Sequence, residues 1–367
     1  MAEVNRIGLR KLWFQVHKWI GLLLATLIIP LSLSGAALVW HDWLDETINP
    51  GRYAVSGHGP LLVPSAYAAS AATALEPGAR ISMIRYPEHG GPIVVNAVKP
   101  GKGPPARSNV WIDPATGRVL DAAGGNEGLV RILHNLHGNL LVPGVGRQIV
   151  GWLGVAMLLS ALSGLWLWWP VMGRWTRGLR WKRVRNFDTN LHHQMGFWIA
   201  IPLTMLSFTG VWISFPLFFA ALSGSTGDQQ RTQRFRAVPV EAPRLTADAA
   251  LTIAGDGNPV SIAWPTDKLP SWGVTLESAG EVRIDDATGE RSSSPRGQGG
   301  GNQGTARLMR RLHDGTGMGA IWQTIIFIGG IMPAALAVTG IIMWARARRW
   351  RGDLAQRQQG RAETVDA

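Results

Sequence analysis

The sequence contains no cysteine among its 367 residues. Disulfide bonds, cysteine-ligated iron–sulfur clusters and covalent cofactor attachment through C-x-x-C-H are therefore excluded. Any bound metal would depend on histidine, methionine or carboxylate ligands. A strict G-x-G-x-x-G pattern or phosphate-binding loop after a predicted strand is also missing. The chain thus lacks the usual signatures of a nicotinamide, flavin or ATP domain of its own.

Charged residues are nearly absent from four long apolar stretches, each of which has the roughly 20 residues that a membrane-spanning helix needs. These stretches are residues 19–40, 149–170, 197–219 and 319–345. The first has an apolar core longer than the ~7–15 residues of a signal peptide, so we expect it to remain in the protein. Proline lies inside three of the stretches, which membrane helices tolerate. The sequence predicts an integral membrane protein with four spans.

The net charge of +12 is concentrated in three clusters beside these spans. The clusters are Arg6, Arg10, Lys11 and Lys18 before span one, Arg174, Arg177, Arg180, Lys182, Arg183 and Arg185 between spans two and three, and Arg346, Arg348, Arg349 and Arg351 after span four. With four spans, all three clusters fall on one side, and the positive-inside rule makes that side cytoplasmic. We therefore expect both termini to be cytoplasmic and anionic lipid headgroups of the bilayer to be the partners of these cations. Nucleic-acid binding is not expected.

Two stretches of the chain repeat the same pattern of histidine and glycine. His17 is followed by Gly21 and by Ser34-Gly35, and His192 is followed by Gly196 and by Thr209-Gly210, with the same interval from histidine to last glycine in both. That interval is five whole helical turns, so the three residues share one stripe about 27 Å long. We interpret this stripe as a docking face for a large flat cofactor.

The repetition extends through the whole chain. Leu136-His137 precedes Gly164 by the same interval that separates Leu312-His313 from Gly340. An Ile-Asp-x-x-Thr-Gly motif occurs at 112–117 and again with the same motif residues at 284–289, and the offset between the two copies is nearly the same for every match. The chain is therefore predicted to be two copies of span–outer domain–span, related by a pseudo-two-fold axis along the membrane normal.

The predicted fold is an α-helical membrane protein with two small α+β outer domains. In the first we predict a helix at 65–75 and strands at 80–86, 93–98 and 109–112, and in the second a helix at 246–254 and strands at 260–264, 273–276 and 281–284. The Asp-x-x-Thr-Gly segments are predicted turns, and the Gly-rich segment 292–306 is expected to be a mobile linker. The predicted divisions are 1–40 (cytoplasmic start and span one), 41–146 (first outer domain with a ligand helix), 147–170 (span two), 171–191 (basic cytoplasmic loop), 192–219 (span three), 220–318 (second outer domain), 319–345 (span four) and 346–367 (cytoplasmic tail).

Four of the nine histidines lie at the ends of the predicted spans. His17 and His192 begin spans one and three on the cytoplasmic side. His137 and His313 precede the glycines of spans two and four by an interval that would be about 40 Å long as a helix, more than a ~30 Å hydrocarbon core can hold. We therefore place each on a short amphipathic helix at the outer side. Ionisable residues at membrane depth are rare and usually functional. The alternative is that each histidine sits at the headgroup level or caps a helix.

The duplication pairs His17 with His192 and His137 with His313. Two imidazoles facing each other across a helical bundle are suited to bis-histidine haem ligation. Gly21 and Gly196, one turn from the inner pair, would leave room for a porphyrin, although close helix packing also explains small residues there.

A zinc site is the competing interpretation of the histidines. A tetrahedral zinc site would need carboxylates or further imidazoles, and the spans contain no acidic residue. His134 and His193 are neighbours of the paired histidines and are the alternative ligands.

Together these motifs resemble the PepSY-associated transmembrane helix family. The resemblance rests on the four His and Ser/Thr-Gly combinations, on the run from Ser163 to Pro170, and on the two Ile-Asp-x-x-Thr-Gly turns, and it covers about residues 10–350. It implies two PepSY-like domains in the periplasm and a bacterial inner-membrane location. For several members it also implies haem-b-dependent reduction of ferric siderophores. Carried over by position, His17, His192, His137 and His313 are the expected ligands of two haems.

The expected function is therefore that of a di-haem b oxidoreductase that passes electrons outward to ferric siderophores. Gly21, Gly196, Gly35 and Gly210 would line the cofactor sites. The electron donor, a quinone or a cytoplasmic reductase, is not identified by any motif. Two alternatives are a haem b carrier that passes electrons from quinone to another periplasmic partner, and a non-redox PepSY sensor or assembly protein.

Overall fold

The computed structural model describes residues 2–57, 59–87, 90–101, 105–125, 127–169, 175–181, 186–222, 237–278, 280–293 and 301–365. The α-helices are α1 (Ala2–Leu38), α2 (His41–Ile48), α3 (Pro64–Ala74), α4 (Leu129–Asn139), α5 (Gly146–Trp168), α6 (Phe187–Ser214), α7 (Pro216–Leu222), α8 (Ala247–Ala254), α9 (Gly301–Asp314) and α10 (Gly319–Val365). The strands are β1 (Arg80–Arg85), β2 (Ile93–Lys99), β3 (Ala106–Ile112), β4 (Val119–Gly124), β5 (Pro259–Ala263), β6 (Ser271–Leu276), β7 (Gly280–Asp285) and β8 (Arg291–Ser293). Short 3₁₀ helices lie at Pro50–Tyr53 and Trp175–Leu179.

The chain divides into two compact units. The helical unit consists of Met1–Val39, Leu133–Phe215 and Leu308–Ala367, and the sheet unit consists of Trp40–Ile132 and Pro216–Arg307. Each unit therefore draws on both halves of the chain.

Within the described residues, four helices are long and apolar enough to cross a membrane, as predicted. The candidate spans are Ile7–Leu38, Gly146–Trp168, Phe187–Ser214 and Gly319–Gln359. The third ends earlier than predicted, because Pro216 begins the separate helix α7 instead of lying inside the span, a position that proline favours. The fourth helix continues through the predicted cytoplasmic tail to Val365.

The four long helices form a closed ring of contacts. Helix α1 packs against α5 and α10, and α6 packs against the same two helices. Small residues permit the close approach: a Cβ added at Gly330 would lie 2.9 Å from Cβ of Ala36, and one added at Gly154 would lie 2.9 Å from Val211. Such small-residue interfaces are typical of membrane helices, because lipid supplies no hydrophobic drive for their association.

Part of the basic loop between spans two and three lies outside the described residues, including Arg174, Lys182, Arg183 and Arg185. The predicted linker 292–306 is likewise outside them at 294–300, whereas its ends belong to β8 and α9. Among the described cations, Arg10 donates to the carbonyl of Trp169 over 3.0 Å, which caps the end of α5. Arg346 pairs with Asp188 across α10 and α6.

The sheet unit contains one antiparallel eight-stranded sheet in the order β4-β3-β2-β1-β5-β6-β7-β8. Each half of the chain contributes four consecutive strands, and the halves join where β1 pairs with β5, with Ile84 opposite Ile262. The order is symmetric about this junction. The sequence predicted two small outer domains, but the described strands form a single sheet, so two separate domains are not confirmed.

The core of the sheet unit is also shared between the halves. Tyr67 and Ala71 of α3 and Ala250 of α8 are fully buried with Ile84 and Ile262 in one apolar cluster. Helices α3 and α8 also meet directly, and the backbone N–H of Ser65 donates to Asp248 over 2.8 Å. One hydrophobic core therefore stabilises both halves.

The predicted turns after β3 and β7 are confirmed. Asp113 accepts a hydrogen bond from the N–H of Ala115 at 3.1 Å, and Asp285 accepts one from Ala287 at 3.0 Å. The glycine four residues later has a positive φ in both turns, where a side chain would be strained. The strands that follow these turns, β4 and β8, were not predicted.

Candidate functional site

The inner histidine pair lies between the first and third long helices. His17 projects from α1 and His192 from α6, and their ring centroids are 6.4 Å apart with an angle of 85° between the ring planes. The duplication predicts this pairing because equivalent residues face each other across a two-fold axis. The structure brings the two residues together.

The outer pair is built from the two short helices. His137 on α4 and His313 on α9 have ring centroids 6.0 Å apart, with 39° between the planes. Both short helices are amphipathic, as predicted. On α1, five helical turns separate His17 from Gly35, which contacts His137, so the two pairs are about 27 Å apart along that helix.

Hydrogen bonds to Nδ1 fix the orientation of the first two imidazoles. Nδ1 of His137 lies 2.8 Å from the carbonyl oxygen of Leu31 on α1, and Nδ1 of His17 lies 3.1 Å from the carbonyl oxygen of Ser160 on α5. A carbonyl oxygen can only accept, so Nδ1 carries the proton in both rings. Nε2 is then the unprotonated nitrogen, the form that binds a metal.

The second half of the chain holds its histidines in the same way. Nδ1 of His192 lies 2.8 Å from the hydroxyl of Thr339, and Nδ1 of His313 lies 3.0 Å from the hydroxyl of Thr209. Both threonine hydroxyls donate their own proton to a backbone carbonyl of the preceding turn, so they accept from the imidazole. All four histidines therefore have a protonated Nδ1.

These acceptors belong to one motif that occurs once in each long helix. Each Ser/Thr-Gly pair faces a histidine from another helix: Ser34-Gly35 faces His137, Ser163-Gly164 faces His17, Thr209-Gly210 faces His313, and Thr339-Gly340 faces His192. The carbonyl three residues before the Ser/Thr also accepts from the imidazole in all four motifs: Leu31 for His137, Ser160 for His17, Leu206 for His313 and Leu336 for His192. The sequence reasoning noted the Ser/Thr-Gly pairs but did not assign them this role, although a four-fold repeat matched to four histidines was the available signal.

Glycine in this motif makes room for the imidazole ring. A Cβ added at Gly35 would overlap the ring of His137 and lie 2.8 Å from its Nδ1. Added at Gly164 it would lie 3.0 Å from Cε1 of His17, at Gly210 3.2 Å from His313 and at Gly340 3.7 Å from His192. Gly35 and Gly210, which the sequence placed on the cofactor stripe, thus contact the outer histidines.

Burial favours the neutral form of both outer imidazoles. Burial lowers the pKa of His137, and burial together with the neighbouring His137 lowers the pKa of His313 to about 4. The short helices that carry them lie outside the spanning segments. A neutral imidazole keeps its lone pair available for a metal.

The spacing of both pairs matches that of two imidazoles on opposite sides of one metal ion. Metal–nitrogen bonds are about 2.0–2.1 Å, and a ring nitrogen lies about 1.15 Å from the centre of a five-membered ring with bonds near 1.35 Å. Two trans imidazoles would therefore have centroids roughly 6.4 Å apart, compared with 6.4 Å and 6.0 Å here. The residues present fit a bis-histidine metal group.

A cavity of about 950 Å³ adjoins the inner pair, at the upper end of the roughly 300–1,000 Å³ that cofactor pockets have. Both histidines line it, as do Gly21 and Gly196, the glycines that the sequence assigned to a flat cofactor face. A Cβ added at Gly21 would meet no atom within 4 Å. Close helix packing, the alternative reason for a small residue, therefore does not apply to Gly21.

The neighbouring histidines occupy different positions from the paired ones. His193 lines the inner cavity, and His134 is exposed on α4. Within the described residues, no group of three or more His, Asp or Glu side chains could hold a metal ion. The arrangement that the described chain offers is two pairs of imidazoles.

The sequence of the chain is similar to that of one known protein family. The model of the PepSY-associated TM region family matches residues 14–347. This is most of the chain, and the protein belongs to that family. No curated protein matches the chain.

Proposed function

We propose that this member of the PepSY-associated TM region family binds two haem b groups and carries electrons across the bacterial inner membrane to ferric siderophores. The proposal is supported by the two imidazole pairs, in each of which the ring centroids have the spacing of a bis-histidine metal centre. In the same four rings Nδ1 is held by hydrogen bonds, which leaves Nε2 for a metal. A structural role for the histidines would not require this common tautomer.

The inner haem would be held by His17 and His192 and the outer haem by His137 and His313. Haem b supplies one-electron chemistry, with a potential set by its axial ligands, hydrogen bonding and burial. The chain's own contribution is to fix the imidazoles. Each acceptor on Nδ1 holds the ring orientation and makes Nε2 more basic, as hydrogen-bonded partners of metal-ligating histidines commonly do.

Other side chains at the inner cavity fit the remaining parts of a haem. The porphyrin face needs flat apolar walls, and Gly21 and Gly196 leave such space next to the ligands. The two carboxylates of haem need cations, and Lys18, Arg346 and Arg351 line the same cavity. We assign these three residues to the propionates.

The separation of the pairs suits transfer across a membrane. About 27 Å of helix separates the two sites, close to the ~30 Å of a hydrocarbon core. With the basic clusters on the cytoplasmic side, His17 and His192 would hold the haem that lies nearer a quinone or a cytoplasmic reductase as electron donor. His137 and His313 would hold the haem that lies nearer an acceptor in the periplasm. Iron release follows because hard oxygen ligands bind ferrous iron more weakly than ferric iron.

The first test is the absorption spectrum of the purified protein with haem titrated by pyridine haemochrome. We expect two haems per chain and about one in His17→Ala and in His313→Ala. His193→Ala and His134→Ala are the matched controls and should keep two, because neither residue belongs to a pair. A protein without a Soret band would refute the proposal and leave the sensor or assembly role. Full haem content in both paired variants would refute the assignment of ligands.

The second test concerns the acceptor. Dithionite-reduced protein is mixed without air with a ferric siderophore, and haem reoxidation is followed in a stopped-flow spectrometer. We expect reoxidation much faster than in buffer alone. Equal rates would reject siderophore reduction and favour a carrier that serves another periplasmic partner.

A further inference from the structure

The outer end of the helical unit carries positive charge close to the second histidine pair. Arg310 lies one turn before His313 on α9, and its charge acts on that imidazole. Arg311 donates to the carbonyl of Gly317 over 2.8 Å. Arg147 on the first turn of α5 donates to the carbonyl of Ile213, three residues beyond the glycine that contacts His313. All three arginines are exposed.

Few negative charges offset these arginines. Asp314 is the one carboxylate in residues 133–160 and 308–335, all of which the structure describes. Its Oδ1 accepts from the N–H of Thr316 at 2.9 Å, a bond that closes the turn after α9. These two segments, which include both outer histidines, therefore carry a net positive charge.

Membrane topology does not explain this charge. The positive-inside rule concentrates Lys and Arg beside the cytoplasmic ends of spans, and three other clusters already serve that role. The rule applies to short loops, and long translocated segments cross largely regardless of their charge, so it does not require arginines at the opposite ends. The position of these arginines next to the outer histidines is suited to binding a negatively charged ligand.

We propose that Arg310, together with Arg147 and Arg311, attracts negatively charged ferric chelates to the outer histidine pair, so that the acceptor is of the catecholate or carboxylate class. This inference rests on the proposed function, because it takes the outer pair as the point where electrons leave. The step is a one-electron reduction in which the reduced protein is oxidised, Fe(III) becomes Fe(II), and no proton or bond of the chelate moves. A tris-catecholate complex then changes from 3− to 4−. Nearby guanidinium groups stabilise the more negative product more than the reactant, which favours the transfer.

Redox-inert gallium complexes separate docking from electron transfer. Binding of gallium tris-catecholate (3−) and of neutral gallium tris(acetohydroxamate) to the purified full-length protein is measured by calorimetry at about 10 mM ionic strength, where the Debye length is about 30 Å. A 3− ion and one guanidinium about 10 Å apart in water attract strongly enough to change affinity about eightfold. Screening over a Debye length of about 30 Å reduces this effect to about fourfold to fivefold, so Arg310→Gln should weaken the trianion by about that factor and leave the neutral complex unchanged. At 0.15 M salt most of the difference should disappear.

The matched control is Arg357→Gln, the same change at an exposed arginine near the far end of α10, which should alter neither affinity. Equal binding of the two complexes by the wild type, or no effect of Arg310→Gln, would overturn the inference. Loss of about one haem in Arg310→Gln would also overturn it, because the guanidinium would then serve the haem carboxylates. The spectrum distinguishes the two proposals: without haem the proposed function fails, whereas with two haems and no charge preference only this inference fails.

Discussion

Replacing Gly35 by alanine tests whether the Ser/Thr-Gly motif seats the histidine rings. The new Cβ would overlap the ring of His137 and lie 2.8 Å from its Nδ1, whereas carbon contacts are normally about 3.5–4.0 Å. The ring must therefore move by roughly 1 Å. Helix α1 cannot retreat, because the adjacent Ala36 already packs closely on Gly330.

Such a displacement is large compared with what a metal bond tolerates. Metal–ligand distances hold to about 0.2 Å, and the bond from Nδ1 to the Leu31 carbonyl, 2.8 Å long, would be lost as well. Alanine gains about 0.8–1 kcal/mol over glycine in a helix, while overpacking costs about 1–3 kcal/mol. The net change in the free energy of unfolding is then a loss of up to about 2 kcal/mol. Occupancy of the outer site should fall much more than stability.

The other three glycines provide a graded series. The added Cβ would lie 3.0 Å from the ring facing Gly164, 3.2 Å at Gly210 and 3.7 Å at Gly340. Loss of haem should decrease in that order, and Gly340→Ala should be tolerated, since 3.7 Å is an ordinary contact. Gly8→Ala is the control in α1, where no atom lies within 4 Å, and it should gain about 1 kcal/mol.

Haem content by pyridine haemochrome and thermal unfolding in detergent are measured for all five variants. Two haems in Gly35→Ala, or equal losses across the series, would contradict the reasoning. If the protein holds no haem, thermal unfolding still tests the reasoning, because the order of the steric clashes at the four glycines does not depend on a metal.

Three further predictions concern single side chains. Thr209→Val removes the hydroxyl 3.0 Å from Nδ1 of His313 and should lower haem affinity about 10–100-fold, measured by haem transfer to apomyoglobin; an unchanged affinity would exclude this role. Leu141 has a φ of 59° and is 52% exposed, so Leu141→Gly should relieve backbone strain and raise stability by about 1 kcal/mol, and a lower melting temperature would contradict this. Burial would raise the pKa of Asp113, but hydrogen bonds from Ser56 and from backbone N–H groups outweigh it and hold the pKa below its usual value. The stability that this carboxylate supplies is present above its unfolded pKa of about 3.9 and is lost as pH falls through the lowered folded-state pKa. The faster hydrogen exchange of β3 and β4 in Asp113→Asn at pH 7 should therefore diminish as the pH falls below about 3.9.

The helical unit was largely predictable because its signals are strong and local. Apolar length identifies the spans, and the near-constant offset between the copies identifies which histidines face each other. His137 and His313 could be placed on separate short helices for a reason of length. A continuous helix from either histidine to the glycine of the following span would be longer than the hydrocarbon core is thick. What the pattern could not tell is which group holds each Nδ1, since ring orientation depends on packing between different helices.

The single sheet was less predictable for a physical reason. The alternation of apolar and polar residues in β1 and β5 is the same whether the outer edges of these strands face solvent or each other. The sequence therefore does not reveal the junction opposite Ile84. Strand β4 is Val-Leu-Asp-Ala-Ala-Gly, whose later residues have low strand propensity, and β8 has only three residues. Their pairing with stronger neighbours, rather than propensity, determines these two strands.

The junction between β1 and β5 also imposes an order on biosynthesis. Strand β1 ends at Arg85 and β5 begins at Pro259, so the ribosome must add the intervening residues, at about 5–20 per second, before the partner exists. For about 9–35 s the nascent first half has an open strand edge, which is prone to pair with other chains. The outer imidazole pair has the same delay, because His313 is made later still. A cofactor held by His137 and His313 can therefore be inserted only after most of the chain has been made.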